Sequence, residues 1–401
     1  MQDKDLFGKA LGLRSPWFVK DLVLDVEKKR VDIFVDFERG NSFPCPKCGV
    51  SCGVYDTDDR VWRHLDFFNH AAYIHARVPR VSCEEHGVLV VDVPWARVGS
   101  KFTLLFETMI LSLAREMPVK STAEFAGVNP NTVWRILGHY IESARKTASI
   151  RGLSRVGVDE FAIGKGHEYA TVFCDLDDSR VLYVCRGKDS GTLFDFRWDL
   201  LGRCDPGKIG LFSMDMSPSF ISGVEKYFPG ARIVFDRFHA MKIVNAALDE
   251  VRRKESKENE SLKKTRFLWL KNPCNLTVKD VKRFKKVKDL DTRTGKAYQM
   301  KLSFQRLWDC GVEEAKSFLT EWCFWAAHSK IRPMIDAART IKDHENGVLG
   351  SIETRANNNV LEGTVNKIKT AMKRAYGFKN FDYLKTIIYL IGGKLELPTR
   401  C

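Results

Sequence analysis

Residues 155–164, RVGVDEFAIG, form an apolar, β-branched run with an acidic pair at its centre, and this pattern predicts a buried β-strand. Four later runs share this character and predict further strands. They are YATVFCDL (169–176), RVLYVCRG (180–187), KIGLFSMD (208–215) and ARIVFD (231–236). The close succession of these runs predicts that a β-sheet forms the centre of this part of the chain.

Helical patterns separate the last three of these strands. They begin near Ser190, Ser217 and Phe238, so three strands in succession are followed by alternating helices and strands. This order predicts an α/β fold with a ribonuclease-H-like core, in which helices cover a mixed sheet. In that topology the fourth strand lies beside the first, and the fifth lies one strand further out.

Three acidic residues stand at informative places in this pattern. Asp159 interrupts the first strand, Asp215 ends the fourth, and Glu362 lies in a polar helical segment, NNNVLEGTVNKIK (357–369). A buried, unpaired carboxylate would be costly, so a metal or another partner is expected at Asp159. Carboxylates on two strands and a late helix suit a catalytic site with two Mg²⁺ ions that cuts and joins phosphodiesters.

The second catalytic acid has two candidates. Asp236 ends the fifth strand, about 4.8 Å further from the first strand than Asp215 is, so we favour Asp215. Asp236 and His239 are then expected to support the site. Glu160 points to the opposite face of the sheet from Asp159, so only one of these two neighbours can line the site. The competing interpretation is that these acids are ordinary turn and cap residues.

Two short motifs near the N-terminus predict a zinc site. Cys45-Pro-Lys-Cys48 and Cys83-Glu-Glu-His86 have the spacing with which paired ligands bind one tetrahedral ion. Four protein ligands leave no open position, so a structural Zn²⁺ is expected. Cys52 and His64 are possible substitute ligands.

Residues 119–138 predict a helix-turn-helix, with Gly127 between two short helices. Asn131, Thr132 and Arg135 would then project from the start of the second helix toward base edges. A helical hairpin without any role in DNA binding has the same pattern.

Charge points to a polyanionic partner. The chain carries a formal net charge of +14, and residues 251–310 hold 18 Lys and Arg against 7 Asp and Glu. DNA or RNA is the first candidate, and a solvated linker is the alternative. Four aromatics interleaved with these cations favour binding over a linker, namely Phe267, Trp269, Phe284 and Trp308. Further cations on the helix of Glu362 are placed for phosphate contacts, namely Lys367, Lys369, Lys373 and Arg374.

Localisation signals are few. No run of about 18 apolar residues predicts a membrane span, and the first residues lack the apolar core of a signal peptide. Cysteines such as Cys174 and Cys185 stand singly in apolar strands, as expected for thiols in a reducing cytosol.

An ordered set of segments resembles bacterial insertion-sequence transposases of the ISL3 family, which belong to the DDE (Asp-Asp-Glu) superfamily. The segments are CPKCG, WRHLD, VPRVSCEEHGV, VPWA, FTLLFE, GVDEFAIGKGHEYATV, FDRFHAMKIVNAALDEVRR, RFLWLKNP, NNNVLEG and RAYGFKNF. The resemblance covers nearly the whole chain. It implies a zinc-binding domain at Cys45, Cys48, Cys83 and His86, a helix-turn-helix for the terminal inverted repeats, and catalysis by Asp159, Asp215 and Glu362.

The length of 401 residues predicts several domains. We expect a β-rich zinc-binding domain and a helix-turn-helix domain, then a core interrupted by a basic helical insertion. The expected boundaries are 1–97, 98–150, 151–256 for the first part of the core, 257–355 for the insertion, and 356–401 for the part with Glu362.

The expected function is Mg²⁺-dependent cleavage at the element ends, followed by attack of the freed 3′-hydroxyl on target DNA. Cutting two ends together suggests at least a homodimer on double-stranded DNA, acting at the nucleoid in the bacterial cytoplasm. One rival is a non-catalytic, sequence-specific DNA-binding regulator derived from a transposase. Another is a structure-selective nuclease, which would not need end-specific modules.

Overall fold

The computed structural model of the chain describes residues 3–164, 166–288, 292–354, 359–378 and 380–398. The chain forms two compact units. Residues 3–146 with 396–398 form one, and residues 147–395 form the other. Within the described ranges, none of the helices combines the length and apolar character that crossing a bilayer requires.

The first unit begins with a five-stranded sheet. Its strands follow the order β1-β2-β6-β5, and β7 pairs with β6. Buried side chains from alternate positions, among them Ile33 and Ile74, form the core below this sheet, because successive residues of a strand point to opposite faces. The elements are α1 (Asp3–Ala10), β1 (Trp17–Asp25), β2 (Arg30–Phe37), β3 (Phe43–Pro44), β4 (Ser51–Cys52), β5 (Val54–Arg63), β6 (Ala71–Cys83) and β7 (Gly87–Val90).

Three helices complete this unit: α2 (Leu104–Glu116), α3 (Val119–Ala126) and α4 (Pro130–Thr147). Glu107 of α2 is fully buried, and its carboxylate accepts hydrogen bonds from Arg97, Ser100 and Tyr140. A buried charge is tolerated only when it is paired in this way. Glu107 therefore joins α2 and α4 to the segment that follows the sheet.

A second five-stranded sheet forms the centre of the second unit. Its order is β10-β9-β8-β11-β12, where β8, β9 and β10 pair antiparallel and β11 pairs parallel with both β8 and β12. This is the ribonuclease-H-like order that the sequence predicts, with the fourth strand beside the first, so the predicted fold class is confirmed. The strands are β8 (Arg155–Ala162), β9 (Tyr169–Asp175), β10 (Arg180–Arg186), β11 (Leu211–Met214) and β12 (Arg232–Phe235).

Helices α5 (Gly191–Leu200), α6 (Pro218–Tyr227) and α7 (Arg237–Glu255) begin where the sequence predicts them. Side chains of α5 and α6 pack on one face of the sheet against Val158 and Phe212. The remaining helices are α8 (Arg266–Leu270), α9 (Val278–Lys288), α10 (Arg293–Gln305), α11 (Val312–Ala327), α12 (Arg332–Asp343), α13 (Glu345–Glu353), α14 (Asn359–Arg374) and α15 (Phe381–Gly392).

The helical insertion shares one hydrophobic core with α7. Trp269 and Phe284 are buried there and meet Tyr298 edge-on, and Trp308 packs at the margin. Three of the four aromatics that accompany the basic residues in the sequence therefore stabilise the fold, and only Phe267 is largely exposed. The DNA-binding interpretation of this segment depends on its cations rather than on these rings.

Lys301 is buried in that core, and none of the described acidic residues pairs with it. Its ammonium donates to the carbonyls of Trp269, Leu270 and Lys271 at 3.1, 2.9 and 3.1 Å, which close the C-terminal end of α8. Burial lowers the pKa of Lys301 to about 8. A cation at this position satisfies carbonyls that have no partner within the helix.

We expect Lys301→Met to destabilise the second unit by about 1–3 kcal/mol, because buried carbonyls lose their donor. The measurement is the free energy of unfolding in urea. Lys279→Met, on the exposed face of α9, is the matched control and should change it by less than about 0.5 kcal/mol. Equal effects of the two substitutions would contradict a capping role for Lys301.

Candidate active site and zinc centre

The strand registers bring three acids to one edge of the second sheet. Ser213 of β11 pairs with Gly157 of β8, and Met214 pairs with Phe235 of β12. Asp215 follows the last residue of β11. If the pairing with β8 continues in the same register, Asp215 lies beside Asp159, and if the pairing with β12 continues, it also lies beside Asp236. Neighbouring strands lie about 4.8 Å apart, so Asp215 lies between acids that are themselves roughly 10 Å apart.

Helix α14 covers the face of the sheet on which Asp159 lies. A Cβ at Gly157 would come within 2.7 Å of Leu176 and 3.1 Å of Leu361, so only glycine lets α14 approach β8 this closely. Gly157 and Asp159 are two residues apart on one strand and share a face. Glycine at this position therefore brings the helix of Glu362 over the acidic edge.

Burial and mutual repulsion raise the pKa values of these acids. Burial raises the pKa of Asp159 and Asp215 raises it further, whereas His239 and Lys369 lower it. Burial also raises the pKa of Asp236; Glu362 adds to that rise, and His239 opposes it. Because partly buried carboxyl groups repel one another here, the edge favours divalent cations.

Glu160 belongs to this electrostatic group although it points away from Asp159. Burial, then the charges of Asp215 and Asp159, raise the pKa of Glu160 to about 7. Its Oε2 atom is buried, and no hydrogen-bond partner for it lies among the described residues.

Asp215 and Asp236 also have local structural roles. Asp215 accepts a hydrogen bond from the amide of Ser217 at 3.0 Å. Asp236 is the N-cap of α7, accepts from the amide of Phe238 at 3.3 Å, and lies 3.8 Å from Nδ1 of His239. Asp215 thus also acts as a turn residue and Asp236 as a cap residue, and each carboxylate retains a second oxygen.

The cations of α14 fall on two stripes. Glu362, Lys369 and Lys373 recur at helical spacing on one exposed stripe, and Lys367 and Arg374 lie on another. Leu361, Val365 and Ile368 form the buried stripe between α14 and the core. Only Lys369 and Lys373 therefore share the side of the helix that carries Glu362.

The acids do not converge on a single point. Among the described residues, the one group of metal-ligand side chains close enough to share an ion is the Cys/His cluster of the first unit. A two-ion site does not require such convergence, because its ions lie about 3.5–4 Å apart and each ligand can contact a different one. Asn358, four residues before Glu362, lies outside the described residues.

The cluster in the first unit has the dimensions of a zinc site. The ligand atoms of Cys45, Cys48, Cys83 and His86 all lie within 4.8 Å of one another. Sγ of Cys48 and Cys83 are 3.8 Å apart, and Nδ1 of His86 is 3.6 Å from Sγ of Cys83. Zn–S bonds of about 2.3 Å around a tetrahedral ion place sulfur atoms about 3.8 Å apart, so these residues fit zinc.

Each half of the cluster ends in a glycine with a left-handed backbone, Gly49 after Cys48 and Gly87 after His86. Backbone amides of Cys48 and Lys47 donate to the sulfur of Cys45 and lower its pKa, which favours the thiolate that binds metal.

The two suggested substitute ligands lie outside this set. Cys52 is near, but its thiol donates to the carbonyl of Val50 at 3.3 Å. His64 is hydrogen-bonded through Nδ1 to the hydroxyl of Thr103 at 2.9 Å, and burial lowers its pKa to about 4. His64 thus links the end of β5 to the N-cap of α2 and has a structural role.

Helices α3 and α4 have the geometry of a helix-turn-helix. Gly127 takes a left-handed conformation, with φ of 64°, at the end of α3. Val133, Ile136 and Leu137 bury one side of α4, while Asn131 and Arg135 are exposed and Thr132 is half-buried. His139, four residues after Arg135, is exposed on the same stripe. The helical spacing of His139 from Arg135 is the signal by which this position can be found in the sequence.

Comparison with known protein families finds matches for three regions of the chain. The helix-turn-helix domain of the ISL3 transposase family matches residues 91–141, and the zinc finger of the IS204/IS1001/IS1096/IS1165 transposases matches residues 42–86. The ISL3 transposase domain of the DDE type matches residues 156–388, more than half of the chain. The chain belongs to the ISL3 family of transposases.

Relatives of this transposase match over most of its length. The transposase for insertion sequence element IS1557 of Mycobacterium tuberculosis is 27% identical over 389 residues, which span 89% of this chain and 87% of the relative. The transposase for insertion sequence element IS1001 of Bordetella parapertussis is 26% identical over 358 residues, 84% of this chain and 86% of that protein.

The family resemblance noted in the sequence is confirmed, and the protein is a DDE-type DNA transposase. The zinc-ribbon match and the Cys/His cluster agree on a structural zinc site. The helix-turn-helix match indicates DNA binding.

Proposed function

We propose that this transposase binds the terminal inverted repeats of its insertion sequence, cuts DNA at the element ends and joins the freed ends to target DNA. The observation that supports this proposal most directly is the register of the parallel strands β8 and β11, which brings Asp159 and Asp215 side by side. Helix α14, which contains Glu362, covers the same face of the sheet. We assign catalysis to these three residues and a supporting role to Asp236 and His239. The same five segments, 1–97, 98–150, 151–256, 257–355 and 356–401, are proposed as its functional parts.

Two Mg²⁺ ions fit this donor set, because hard cations prefer carboxylate oxygens. When bound, they would supply charge stabilisation to the attacking and leaving oxygens of an in-line displacement. Asp159 and Asp215 would hold one ion between neighbouring strands, and Glu362 would approach from α14. Lys369, whose charge lowers the pKa of Asp159, would keep that acid ionised and contact the scissile strand.

DNA would be held on several surfaces. Asn131, Thr132 and Arg135 of α4 are proposed to contact base edges of the repeat. Lys367, Lys373 and Arg374 of α14 and the basic insertion are proposed to contact phosphates, which makes binding steeply dependent on salt. Because two ends must be cut together, we propose a homodimer or larger assembly on DNA, working at the bacterial nucleoid.

The decisive experiment is cleavage of a labelled duplex that carries the element's own terminal repeat, with Mg²⁺ or with EDTA, in the presence of unlabelled target DNA. We expect Mg²⁺-dependent cutting at the repeat end and labelled products joined to the target. Binding of the repeat without any cutting would instead support a regulator. Cutting without joining, and without preference for the repeat, would support a nuclease.

Arg135→Ala should weaken binding to the repeat by about 10- to 100-fold, because a side chain that contacts a base edge contributes roughly 1–3 kcal/mol of discrimination. The measurement is a binding titration on the repeat and on a scrambled duplex at one salt concentration. Lys120→Ala, an exposed cation on α3, is the matched control. If Arg135→Ala and Lys120→Ala weaken both duplexes equally, α4 does not read the sequence.

A further inference from the structure

The hairpin at residues 67–70 of the first unit carries an aromatic side chain on a strained backbone. Phe67 and His70 exchange both backbone hydrogen bonds, each 2.9 Å long, so Phe68 and Asn69 form a two-residue turn. Their φ angles are 42° and 65°, the positive values of a type I′ turn, in which Asn and Gly are preferred. A bulky side chain rarely accompanies positive φ, because it crowds the backbone. Phenylalanine at this position therefore costs free energy that asparagine would avoid.

The strain at Phe68 does not serve the interior of the unit. Phe68 is 83% exposed, and its ring meets the ring of Phe67 edge-on with centroids 4.6 Å apart. Phe67 in turn packs on Phe7 of α1, with centroids 4.9 Å apart. The contact with Phe67 holds the ring of Phe68 in place, while most of that ring projects into solvent. Strain that buries so little indicates a functional role, because strained residues concentrate at sites that bind ligands.

A second turn, residues 26–29, lies beside this hairpin. Strands β2 and β6 pair parallel with Arg30 opposite Ala71, and the amide of Ala71 donates to the carbonyl of Lys29 at 2.8 Å. The turn before β2 and the hairpin before β6 therefore lie at the same end of the sheet. Lys28 and Lys29 are exposed there, and no acid in the described ranges pairs with Lys29. This end of the sheet thus combines an apolar tip with neighbouring cations.

The same end of the sheet is joined to the helix-turn-helix. Arg63 ends β5, and its carbonyl accepts a hydrogen bond from the amide of Thr103, the N-cap of α2, at 3.0 Å. The guanidinium of Arg63 also pairs with Asp66, so the acid that precedes the hairpin is neutralised. The hairpin is therefore held in the unit that carries the proposed DNA-binding helix.

We propose that Phe68 enters the minor groove of the terminal repeat as an apolar wedge and bends the duplex. The inference rests on the proposed function, which supplies the DNA, and adds a contact outside the helix-turn-helix. Phenylalanine wedges in the minor groove kink DNA toward the major groove, and Lys28 and Lys29 contact the neighbouring phosphates. A tip with one ring fits one base step, whereas a protein interface needs about 800 Å² per partner, far more than the roughly 150–250 Å² of one aromatic side chain.

The test measures the bend of a terminal-repeat duplex that carries a fluorescent dye at each end, bound to the full-length protein without Mg²⁺. In the wild type, energy transfer between the dyes should exceed that of the free duplex, because the bend brings the ends together. Phe68→Asn should return the transfer toward the free value. It should also weaken binding about 10- to 100-fold, the loss expected when one Phe side chain is no longer buried. The same substitution should raise the urea midpoint of unfolding, because asparagine relieves the strain of positive φ.

Two further variants are the controls. Phe68→Leu keeps an apolar side chain at the tip and should still bend the duplex, because leucine also enters base steps. Tyr55→Ala removes another exposed aromatic of the same unit, which is 66% exposed at the start of β5. At about 3.3 Å per residue, Tyr55 lies about 25 Å along the strand from Arg63. Its variant should bind and bend the repeat like the wild type.

The proposal is overturned if the wild type leaves the bound duplex straight, or if Phe68→Asn binds and bends it like Tyr55→Ala. It is also overturned if Phe68→Asn lowers the urea midpoint while bending is lost, since Phe68 would then be a packing residue. Changed sedimentation of the free variant with an unchanged bend would make the tip a contact between copies of the chain. The bend is read without cutting. A protein that bends the repeat through Phe68 but never cuts it would therefore contradict the proposed function and leave the wedge supported.

Discussion

Asp215→Asn should lower the rate of DNA cleavage by about 10³-fold or more, while Asp236→Asn stays within about tenfold of the wild type. A metal-binding carboxylate contributes several kcal/mol to stabilising the transition state, and each 1.4 kcal/mol corresponds to a factor of ten. Asp215 lies level with Asp159 on the neighbouring strand, whereas Asp236 is one strand further away. Asparagine can keep the hydrogen bond that either residue accepts from a backbone amide, so the substitution removes the charge without removing that local contact.

The measurement is single-turnover cleavage of the terminal-repeat duplex at saturating protein, with binding of the same duplex as the test of folding. Both variants should bind the duplex like the wild type. If Asp236→Asn abolishes cutting and Asp215→Asn does not, Asp236 is the second catalytic acid. That outcome would be consistent with the charge of Glu362, which raises the pKa of Asp236.

Removal of zinc should unfold the part of the first unit that holds Cys45, Cys48, Cys83 and His86. Structural zinc contributes apparent binding free energies of about 10–16 kcal/mol in zinc-finger peptides, which is comparable to the whole stability of a domain. We expect Cys48→Ser to lose the metal and to become sensitive to proteolysis between residues 42 and 86. Metal content and limited proteolysis measure the two effects separately.

Cys52→Ser is the matched control for this prediction. Cys52 is buried close to the cluster, but its thiol donates to the carbonyl of Val50 and is not among the four ligands. Cys52→Ser should therefore retain zinc and resist proteolysis. Loss of zinc from Cys52→Ser together with retention by Cys48→Ser would show that the ligand set is wrong. Replacing zinc with Co²⁺ gives a further test, because three sulfurs and one nitrogen have a characteristic absorption.

Local patterns were enough to predict the order of elements in the second unit. Alternation and β-branched runs located β8 to β12, and capping and turn residues placed α5, α6 and α7 near their observed starts. The strand order then followed from the rules that govern connections between strands. The paired spacing of the Cys and His ligands was similarly informative, because each pair is held by a single tight turn.

Side-chain environments were harder to predict. The aromatics of the insertion looked suited to stacking on DNA, yet Trp269 and Phe284 are buried against each other. His64 looked like a spare zinc ligand and instead caps α2 through Thr103. In each case the residue type permitted both roles, and the partner that decided between them lies far away in the sequence or on another element.

The sequence by itself determined the family, the ribonuclease-H-like order of strands and the four Cys and His residues that cluster as zinc ligands, because these depend on local periodicity and on the spacing of chemical groups. The tertiary structure decided that Asp215 lies between Asp159 and Asp236, and that the charge of Lys369 on α14 acts on the carboxyl group of Asp159. Register and packing depend on contacts between distant segments, and no local pattern specifies which segments those are.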